Sequence, residues 1–206
     1  DPLWSRGLGD VYKRQVMNVN MQQVIPVQLL DTTKIGQFAD NKIYLTGYSE
    51  DKSKLLVYKR YVQRGDIRVM AKVYDNRLNM LDSSRFTFDY KSRKDFLSES
   101  VIDNEGNVYF TAQHRSSNNK TYTTLGLFIC RKNAEVKQVD ISLQDKRLLQ
   151  SSLAFDNNHK RCIITADYSQ NSKYRSDGVF IAYIDALSQE LLQQYFVAFS
   201  DSVKTL

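Results

Sequence analysis

SVIDNEGNVYFTA, at residues 100–112, decides the fold of this chain, because it returns as SLAFDNNHKRCIITA at residues 152–166. In both copies a short apolar run ends in Asp-Asn, a tight turn follows, and a second run of β-branched and aromatic residues ends in Thr-Ala. Short runs of this composition, bounded by turn residues, are typical of β-hairpins. A hairpin that occurs twice in one chain indicates an internal repeat.

An earlier copy of the repeat is expected at QFADNKIYLTG, residues 37–47, with Asp40 and Asn41 at a shortened turn. This alignment puts Thr46 in the place of Thr111 and Thr165. Downstream of each copy come a polar loop and another pair of apolar runs, so that each unit is predicted to hold four strands. The units are predicted at about residues 31–90, 96–147 and 148–200.

The apolar runs favour strands over helices. They are five to eight residues long, rich in Tyr, Phe, Val, Ile and Thr, and separated by Asn, Asp, Gly and Ser clusters. Only ALSQELLQQ, at residues 186–194, has helical propensity, and we interpret it as a turn leading into a strand. The pattern predicts strands near residues 42–48, 67–74, 79–88, 107–112, 125–131, 135–141, 161–167, 178–184 and 193–199.

The turn DNEGNVY, at residues 103–109, resembles the Asp-x-x-Gly-Asn-x-Tyr turn of bacterial β-propeller repeats. Four strands in about 50 residues are similar to kelch and WD40 blades, although the chain has neither a WD dipeptide nor a kelch Gly-Gly pair. The resemblance implies an all-β fold: a partial β-propeller of about three blades over residues 16–206. Since propellers usually close with four to eight blades, further blades are expected, and residues 16–30 would form the last strand of a preceding one.

The first fifteen residues differ from the rest in composition. SRGLGDVYKRQ, at residues 5–15, resembles the translation of a transposon-type sequencing adapter. Residues 1–15 are therefore predicted to be a non-native tail that packs against nothing. Because the natural N-terminus is then expected to be missing, the sequence does not predict a localisation, although analogy with bacterial propellers favours an extracytoplasmic one.

Composition limits the classes of partner. The 206 residues carry a net charge of +6, with basic residues scattered along the chain, whereas a nucleic-acid footprint would be denser. Nucleic-acid binding is therefore not expected. No apolar run is long enough for a membrane helix. Cys130 and Cys162 lie inside apolar runs and are predicted to be buried free thiols, with a disulfide as the alternative.

Catalytic motifs are not found. The chain lacks a G-x-S-x-G elbow, an H-E-x-x-H pair, a Walker loop and Rossmann glycines. His114 and His159 are expected to be exposed turn residues, and Asp103 with its neighbours a β-turn that uses Gly106, with a calcium loop as the weaker alternative. No catalytic residue, cofactor or metal ligand is predicted.

The longest loops offer a candidate binding face. They are predicted at residues 49–66, 114–123 and 169–177, between the second and third strands of each unit, and such loops share one face in a propeller. Tyr and Arg in such positions favour recognition. The candidate residues are Tyr58, Lys59, Arg60, Tyr61, His114, Arg115, Tyr122, Lys173, Tyr174 and Arg175. The predicted function is a non-enzymatic binding or scaffold module for a protein, peptide or glycan. The alternative is the propeller portion of a larger hydrolase whose catalytic domain lies elsewhere.

Overall fold

The computed structural model describes residues 10–33, 44–63, 66–91, 95–98, 100–115, 121–170 and 175–200. Within them, fifteen strands form four antiparallel sheets and no helix occurs. The strands are β1 (Asp10–Met17), β2 (Gln23–Thr33), β3 (Tyr44–Tyr48), β4 (Lys54–Gln63), β5 (Asp66–Asp75), β6 (Met80–Lys91), β7 (Asp95–Leu97), β8 (Val101–Ile102), β9 (Val108–His114), β10 (Thr124–Cys130), β11 (Lys137–Ile141), β12 (Arg147–Asp156), β13 (Arg161–Ser169), β14 (Gly178–Asp185) and β15 (Leu191–Ala198).

Three of the sheets are meanders whose strands follow chain order. We call them blade 1 (β3–β6), blade 2 (β7–β11) and blade 3 (β12–β15). In blade 2 the first strand is interrupted, because β7 and β8 pair with successive parts of the same neighbour, β9. All nine strands predicted from the sequence are present, with ends shifted by a few residues.

An aspartate closes the turn of each repeated hairpin. The Asp103 carboxylate accepts hydrogen bonds from the backbone N–H groups of Glu105, Gly106 and Asn107 at 2.8–3.0 Å. Asp156 does the same for the two residues that follow Asn157. A side chain that binds the backbone a few residues later holds the chain in a turn. The expected positive φ of Gly106 is confirmed, at 98°.

The blades stack face to face through apolar side chains. Alternate residues of β9 point to opposite faces, so that Phe110 packs with the buried residues of blade 1 and Tyr109 with those of blade 3. Blade 3 contributes Cys162, Ile164 and Phe180 to the second of these interfaces. A central sheet that is apolar on both faces, as in blade 2, needs a neighbour on each side.

The first strands of the three blades lie side by side. β8 contacts both β3 and β12, whereas the other strands lead away from this common edge. Sheets that share an inner edge and stack by their faces form a β-propeller. The expected fold class is therefore confirmed: the chain is all-β and forms an open set of propeller blades.

The first repeat differs from its predicted alignment. Asp40 and Asn41 lie outside the described residues. Thr46 lies in β3, the first strand of its blade, whereas Thr111 and Thr165 lie in second strands. In blade 1, the turn equivalent to those at Asp103 and Asp156 is the one around Asp51. This turn contacts its counterpart in blade 2, since the N–H of Asp51 donates to Oδ1 of Asn104 at 3.2 Å.

The prediction that residues 1–15 pack against nothing is wrong for the part that the structure describes. β1 pairs with β2 in a two-stranded sheet. The Tyr12 ring lies 5.3 Å from the Tyr44 ring, and Arg14 donates to the Tyr48 hydroxyl, both in blade 1. The segment that was expected to be one strand, residues 16–30, is divided between β1 and β2.

A buried ionic cluster attaches β2 to blade 1. Asp31 forms salt bridges with Lys59 at 2.6 Å and Lys72 at 3.0 Å, and the Tyr74 hydroxyl donates to the Leu30 carbonyl at 2.7 Å. Burial opposes ionisation of Asp31, but hydrogen bonds from the two lysines outweigh it and hold the pKa of this carboxyl below its ordinary value. Burial, together with the Asp31 charge, raises the pKa of Tyr74 to about 12.

Both cysteines are buried free thiols, as predicted. Burial raises the pKa of Cys130 and Cys162 above the ordinary value, so neither is an activated thiolate. In the described part of the chain no helix is long and apolar enough to cross a membrane.

Candidate functional site

A groove opens where the inner strands of blades 2 and 3 face each other. Its volume is about 400 Å³. Blade 2 lines it with Phe96, Ser98, Ser100 and Val101, and blade 3 lines it with Gln150, Ser151, Ser152 and Leu153. The groove is of the size that small-molecule sites usually have. We call it the inner groove.

The inner groove lies at the interruption between β7 and β8. Ser98 follows the end of β7, and it forms two hydrogen bonds with Thr111 of β9: its N–H donates to the Thr111 carbonyl, and its Oγ accepts from the Thr111 N–H, both at 2.8 Å. The serine side chain thus occupies the place of a strand partner. Pairing with β9 resumes at Val101.

The opposite wall is shaped by a β-bulge. In the pairing of β12 with β13 the register shifts between Leu148 and Gln150. A bulge redirects the side chains that follow it and bends its strand. Here it directly precedes Ser151 and Ser152. Leu148 itself is fixed by two backbone hydrogen bonds to Tyr122 of blade 2, at 2.8 and 2.9 Å.

Gln113 connects the two walls. It lies opposite Phe96 in the pairing of β7 with β9, so both side chains point toward blade 3. Gln113 is fully buried, and its Nε2 donates to Oγ of Ser151 across the blade interface. An amide in this position sets the distance between the two lining strands.

Two buried polar atoms at this interface have unused bonding capacity. In the part of the chain that the structure describes, neither Ser100 Oγ nor Gln113 Oε1 has a hydrogen-bond partner. An unpaired buried polar atom costs about 1–3 kcal/mol, and each such atom in a native structure calls for an explanation, such as a bound water or ion. Ser100 lines the inner groove, and Gln113 is bonded to Ser151, which also lines it.

The described residues that line the inner groove include no ionisable side chain. All eight described lining residues are uncharged, and five of them carry a hydroxyl or an amide, which both donate and accept hydrogen bonds. Phe96 adds an aromatic ring that is 44% exposed and lies 6.0 Å from the Tyr122 ring.

Four of the sequence-predicted binding residues do not lie in a loop. Tyr58, Lys59, Arg60 and Tyr61 belong to β4, which pairs with β3 and β5 along its length, so the loop predicted at residues 49–66 is wrong. Tyr58 is 3% exposed and accepts a hydrogen bond from the Ser100 N–H at 3.1 Å. Lys59 is held by Asp31, and Arg60 donates to the Leu97 carbonyl.

Three other predicted residues lie together beside the inner groove. His114 ends β9, Arg115 follows it, and the Arg115 guanidinium donates to the Tyr122 hydroxyl at 2.8 Å. Tyr122 is buried and contacts Phe96 of the groove. The sequence thus predicted a cluster next to the groove but not the residues that line it.

The remaining candidate residues do not lie at the inner groove or lie outside the described residues. Lys173 and Tyr174 lie outside the described residues, and Arg175 is exposed. His159 is exposed in the turn after β12, where its Nδ1 lies 2.8 Å from Asp156 Oδ2. Hydrogen bonds from the backbone and ring of His159 lower the pKa of Asp156 to about 2. Among the described residues, no group of three His, Cys, Asp or Glu side chains is placed to hold a metal ion.

Comparisons with known proteins give matches of fold only. No family model and no curated protein matches the chain. Among solved structures, it is similar to cobalt-substituted Synechocystis ACO, with a TM-score of 0.48, 10% identity, and coverage of 95% of this chain and 47% of that one. A mutant of Synechocystis apocarotenoid oxygenase (ACO) gives a TM-score of 0.49 at 10% identity, with 92% and 46% coverage. An ACO/RPE65 chimera gives 0.48 at 10% identity, with 92% and 46% coverage.

These matches correct one prediction. The prediction of a non-enzymatic binding or scaffold module is contradicted, because the solved chains that share the architecture include apocarotenoid oxygenases. The alternative, the propeller portion of a larger hydrolase whose catalytic domain lies elsewhere, stays a proposal. The chain spans about half the length of these solved chains, and at 10% identity the likeness concerns the fold alone.

Proposed function

We propose that this chain is the propeller portion of a larger enzyme, and that its inner groove forms part of the surface that meets the substrate. The observation that carries the proposal is the position of the groove. It lies at the shared inner edge of the blades, where β7 and β8 of blade 2 face β12 of blade 3. A concave site with a few converging polar groups, between repeated units, is the usual place for a small-molecule site.

The outer side of blade 3 supports the proposal that the propeller is larger. One face of this blade packs on blade 2. The other, which we call the open face, consists of Ile163, Val179, Ile181, Tyr183, Tyr195 and Val197. Tyr195 and Val197 are 46% and 55% exposed. Apolar residues on both faces of a sheet are typical of sheets that are covered on both sides, so a further blade fits against the open face.

The experiment uses the complete protein encoded by the gene. It is incubated with an extract of small metabolites, and mass spectrometry follows compounds that are consumed and formed. We expect at least one such pair, and we expect the turnover to be lost in Val101→Trp, because Val101 lines the inner groove and lies opposite Tyr109, whose side chain faces blade 3, so that a large ring at this position fills the groove.

The matched control is Ser83→Trp, at an exposed position on the outer strand of blade 1, which should keep full turnover. The proposal is refuted if the folded, complete protein converts nothing. It is refuted equally if Val101→Trp and Ser83→Trp turn over at the same rate.

A further inference from the structure

We propose that the inner groove takes a small amphiphile, whose apolar body lies between blades 2 and 3 and whose carboxylate head binds the Arg115 guanidinium. This inference rests on the proposed function, because it names the class of substrate that the groove would take. It follows from the side chains that face the groove, from the polar groups of its walls and from the guanidinium at its rim.

Three apolar side chains face the groove from its two walls. Val101 lies opposite Tyr109 in the pairing of β8 with β9, and Leu153 lies opposite Ile164 in the pairing of β12 with β13. Tyr109 and Ile164 both belong to the core between blades 2 and 3, so their strand partners face the space between these blades too. Phe96 adds a ring that is 44% exposed. An apolar molecule therefore finds apolar surface on both walls.

The polar groups of the walls are already bonded, already buried or turned away. Ser98 and Ser151 both accept hydrogen bonds from within the protein. Gln150 and Ser152 alternate with Ser151 along β12, so their side chains point to the other face of blade 3. Ser100 Oγ is already shielded from water before any ligand arrives. An apolar body can therefore cover these walls at a small cost in lost hydrogen bonds.

A row of three side chains leads from the groove to a guanidinium. The Phe96 ring lies 6.0 Å from the Tyr122 ring, and the Arg115 guanidinium lies 4.8 Å from the centre of the same Tyr122 ring. Tyr122 is buried, and its hydroxyl accepts a hydrogen bond from Arg115 at 2.8 Å, so the guanidinium is held in position. Arg115 thus lies one ring beyond the lining of the groove.

The Arg115 guanidinium is suited to bind a carboxylate. It forms no ion pair within the part of the chain that the structure describes, and its bond to Tyr122 uses one of its N–H donors. Arginine and a carboxylate form two parallel hydrogen bonds, which are stronger than those between neutral groups. The described lining is uncharged and offers no counter-charge deeper in the groove. The carboxylate is therefore placed at the rim and the apolar body inside.

The test is a titration of the chain with octanoate, octanol and octylammonium, which share one apolar body, followed through the backbone amide resonances. We expect octanoate to shift the amides of residues 96–98, 101, 115 and 151–153. Octanol should bind more weakly at the same residues, and octylammonium most weakly. Butyrate has the same head but a shorter body. It should bind at least about tenfold more weakly than octanoate, because each buried methylene strengthens binding by up to about fourfold.

Two variants locate the two parts of the ligand, and both change partly exposed residues, so the chain should still fold. Arg115→Met keeps an apolar stem but removes the charge, so octanoate should bind about tenfold more weakly while octanol binds as before. Phe96→Ala should weaken the binding of both probes by at least about threefold. The matched controls are Arg85→Met, an exposed arginine of blade 1, and Tyr195→Ala, whose ring is as exposed as that of Phe96. Neither control should change either affinity.

The inference is overturned if octanoate leaves these amides unmoved, if octanol or octylammonium binds as tightly as octanoate, or if Arg115→Met and Phe96→Ala bind like their controls. Turnover by the complete protein that is lost in Val101→Trp, without octanoate binding, would refute this inference and leave the proposed function standing. Octanoate binding at the groove without any turnover by the complete protein would refute the proposed function instead.

Discussion

The backbone N–H of Asn104 donates a hydrogen bond to Oδ1 of Asn157 at 2.9 Å, and the two residues are 53 positions apart in equivalent turns of blades 2 and 3. The same separation joins Asp51 to Asn104, in the turns of blades 1 and 2. Asn157 also reaches Glu50 of blade 1, to which its Nδ2 donates at 2.9 Å. One asparagine therefore ties together the inner turns of all three blades.

Replacing Asn157 should destabilise the packing of the three blades. Asn157 is 9% exposed, and Asn157→Ala leaves the Asn104 N–H without its partner. We expect a loss of about 1–2 kcal/mol in the free energy of unfolding, measured by urea denaturation. Asn158→Ala, at the exposed neighbouring position, should change it by less than about 0.5 kcal/mol. Equal effects of the two variants would show that the turns do not couple the blades.

The ionic cluster formed by Asp31, Lys59 and Lys72 predicts that the stability of the fold depends on pH. The pKa of Asp31 is lower in the folded chain than its ordinary value of about 4 in the unfolded chain. The ionised Asp31 carboxylate therefore stabilises the fold fully above that ordinary pKa, and this stabilisation is lost as the pH falls through the pKa of the folded chain. Asp31→Asn should cost about 3 kcal/mol at pH 7, because it removes the ion pairs of Asp31 with Lys59 and Lys72.

Thermal unfolding from pH 7 down to pH 2 checks this prediction. The wild-type chain should lose more stability over this range than Asp31→Asn does. The exposed Asp145→Asn serves as the control and should follow the wild type. If Asp31→Asn is as acid-sensitive and as stable as the wild type, β2 does not dock on blade 1 as described.

A glycine at the start of β14 allows close packing in blade 3. A Cβ at Gly178 would lie 2.1 Å from the Val197 carbonyl oxygen and 2.7 Å from Cε1 of Tyr168. Since the first of these atoms belongs to the backbone, Gly178→Ala should destabilise the chain by about 2 kcal/mol. The control is Gly47→Ala in β3, where a Cβ meets nothing closer than 3.7 Å and the change should be below about 0.5 kcal/mol. Calorimetry that finds both variants equally stable would contradict the packing of β14 against β15.

The open face of blade 3 predicts self-association of this chain. Exposed apolar sheet faces and free edge strands favour pairing with another molecule. Sedimentation velocity should therefore detect oligomers that increase with concentration. The double variant Tyr195→Glu with Val197→Lys should shift the population toward the monomer, whereas Met80→Lys, a similarly exposed position on blade 1, should not. A wild-type chain that stays monomeric at all concentrations would contradict this prediction.

Local patterns in the sequence were sufficient to predict the strands and the fold class. Runs such as VYFTA and RCIITA have the composition of strands, and the Asp-Asn turns between them mark the hairpins. The first blade was misaligned because its turn, SEDKS at residues 49–53, lacks the Asp-Asn pair. β4 was assigned to a loop because charged residues follow its apolar start, and the salt bridge of the buried Lys59 is with Asp31, 28 positions away in the sequence.

Such local sequence patterns could not predict the inner groove. Serines at residues 98, 100, 151 and 152 are ordinary turn or strand residues in the sequence, and nothing near them indicates a shared site. They meet because blade stacking brings β7 and β8 opposite β12, and the Gln113–Ser151 bond joins residues 38 positions apart. The bulge before Gln150 also has no sequence signal. The one available signal was Tyr122 with Arg115, which lie beside the groove.

Hydrogen–deuterium exchange of the isolated chain tests the central claim most directly, namely that the blades form an open radial stack with blade 2 in the middle. Residues 108–111 of β9 and 127–130 of β10 are covered on both faces and should exchange slowest. Amides of β15 and of the β1–β2 sheet should exchange faster, since each lies at an end of the stack. Uniform protection from β1 to β15 in a monodisperse monomer would contradict the account and favour a closed sandwich or barrel.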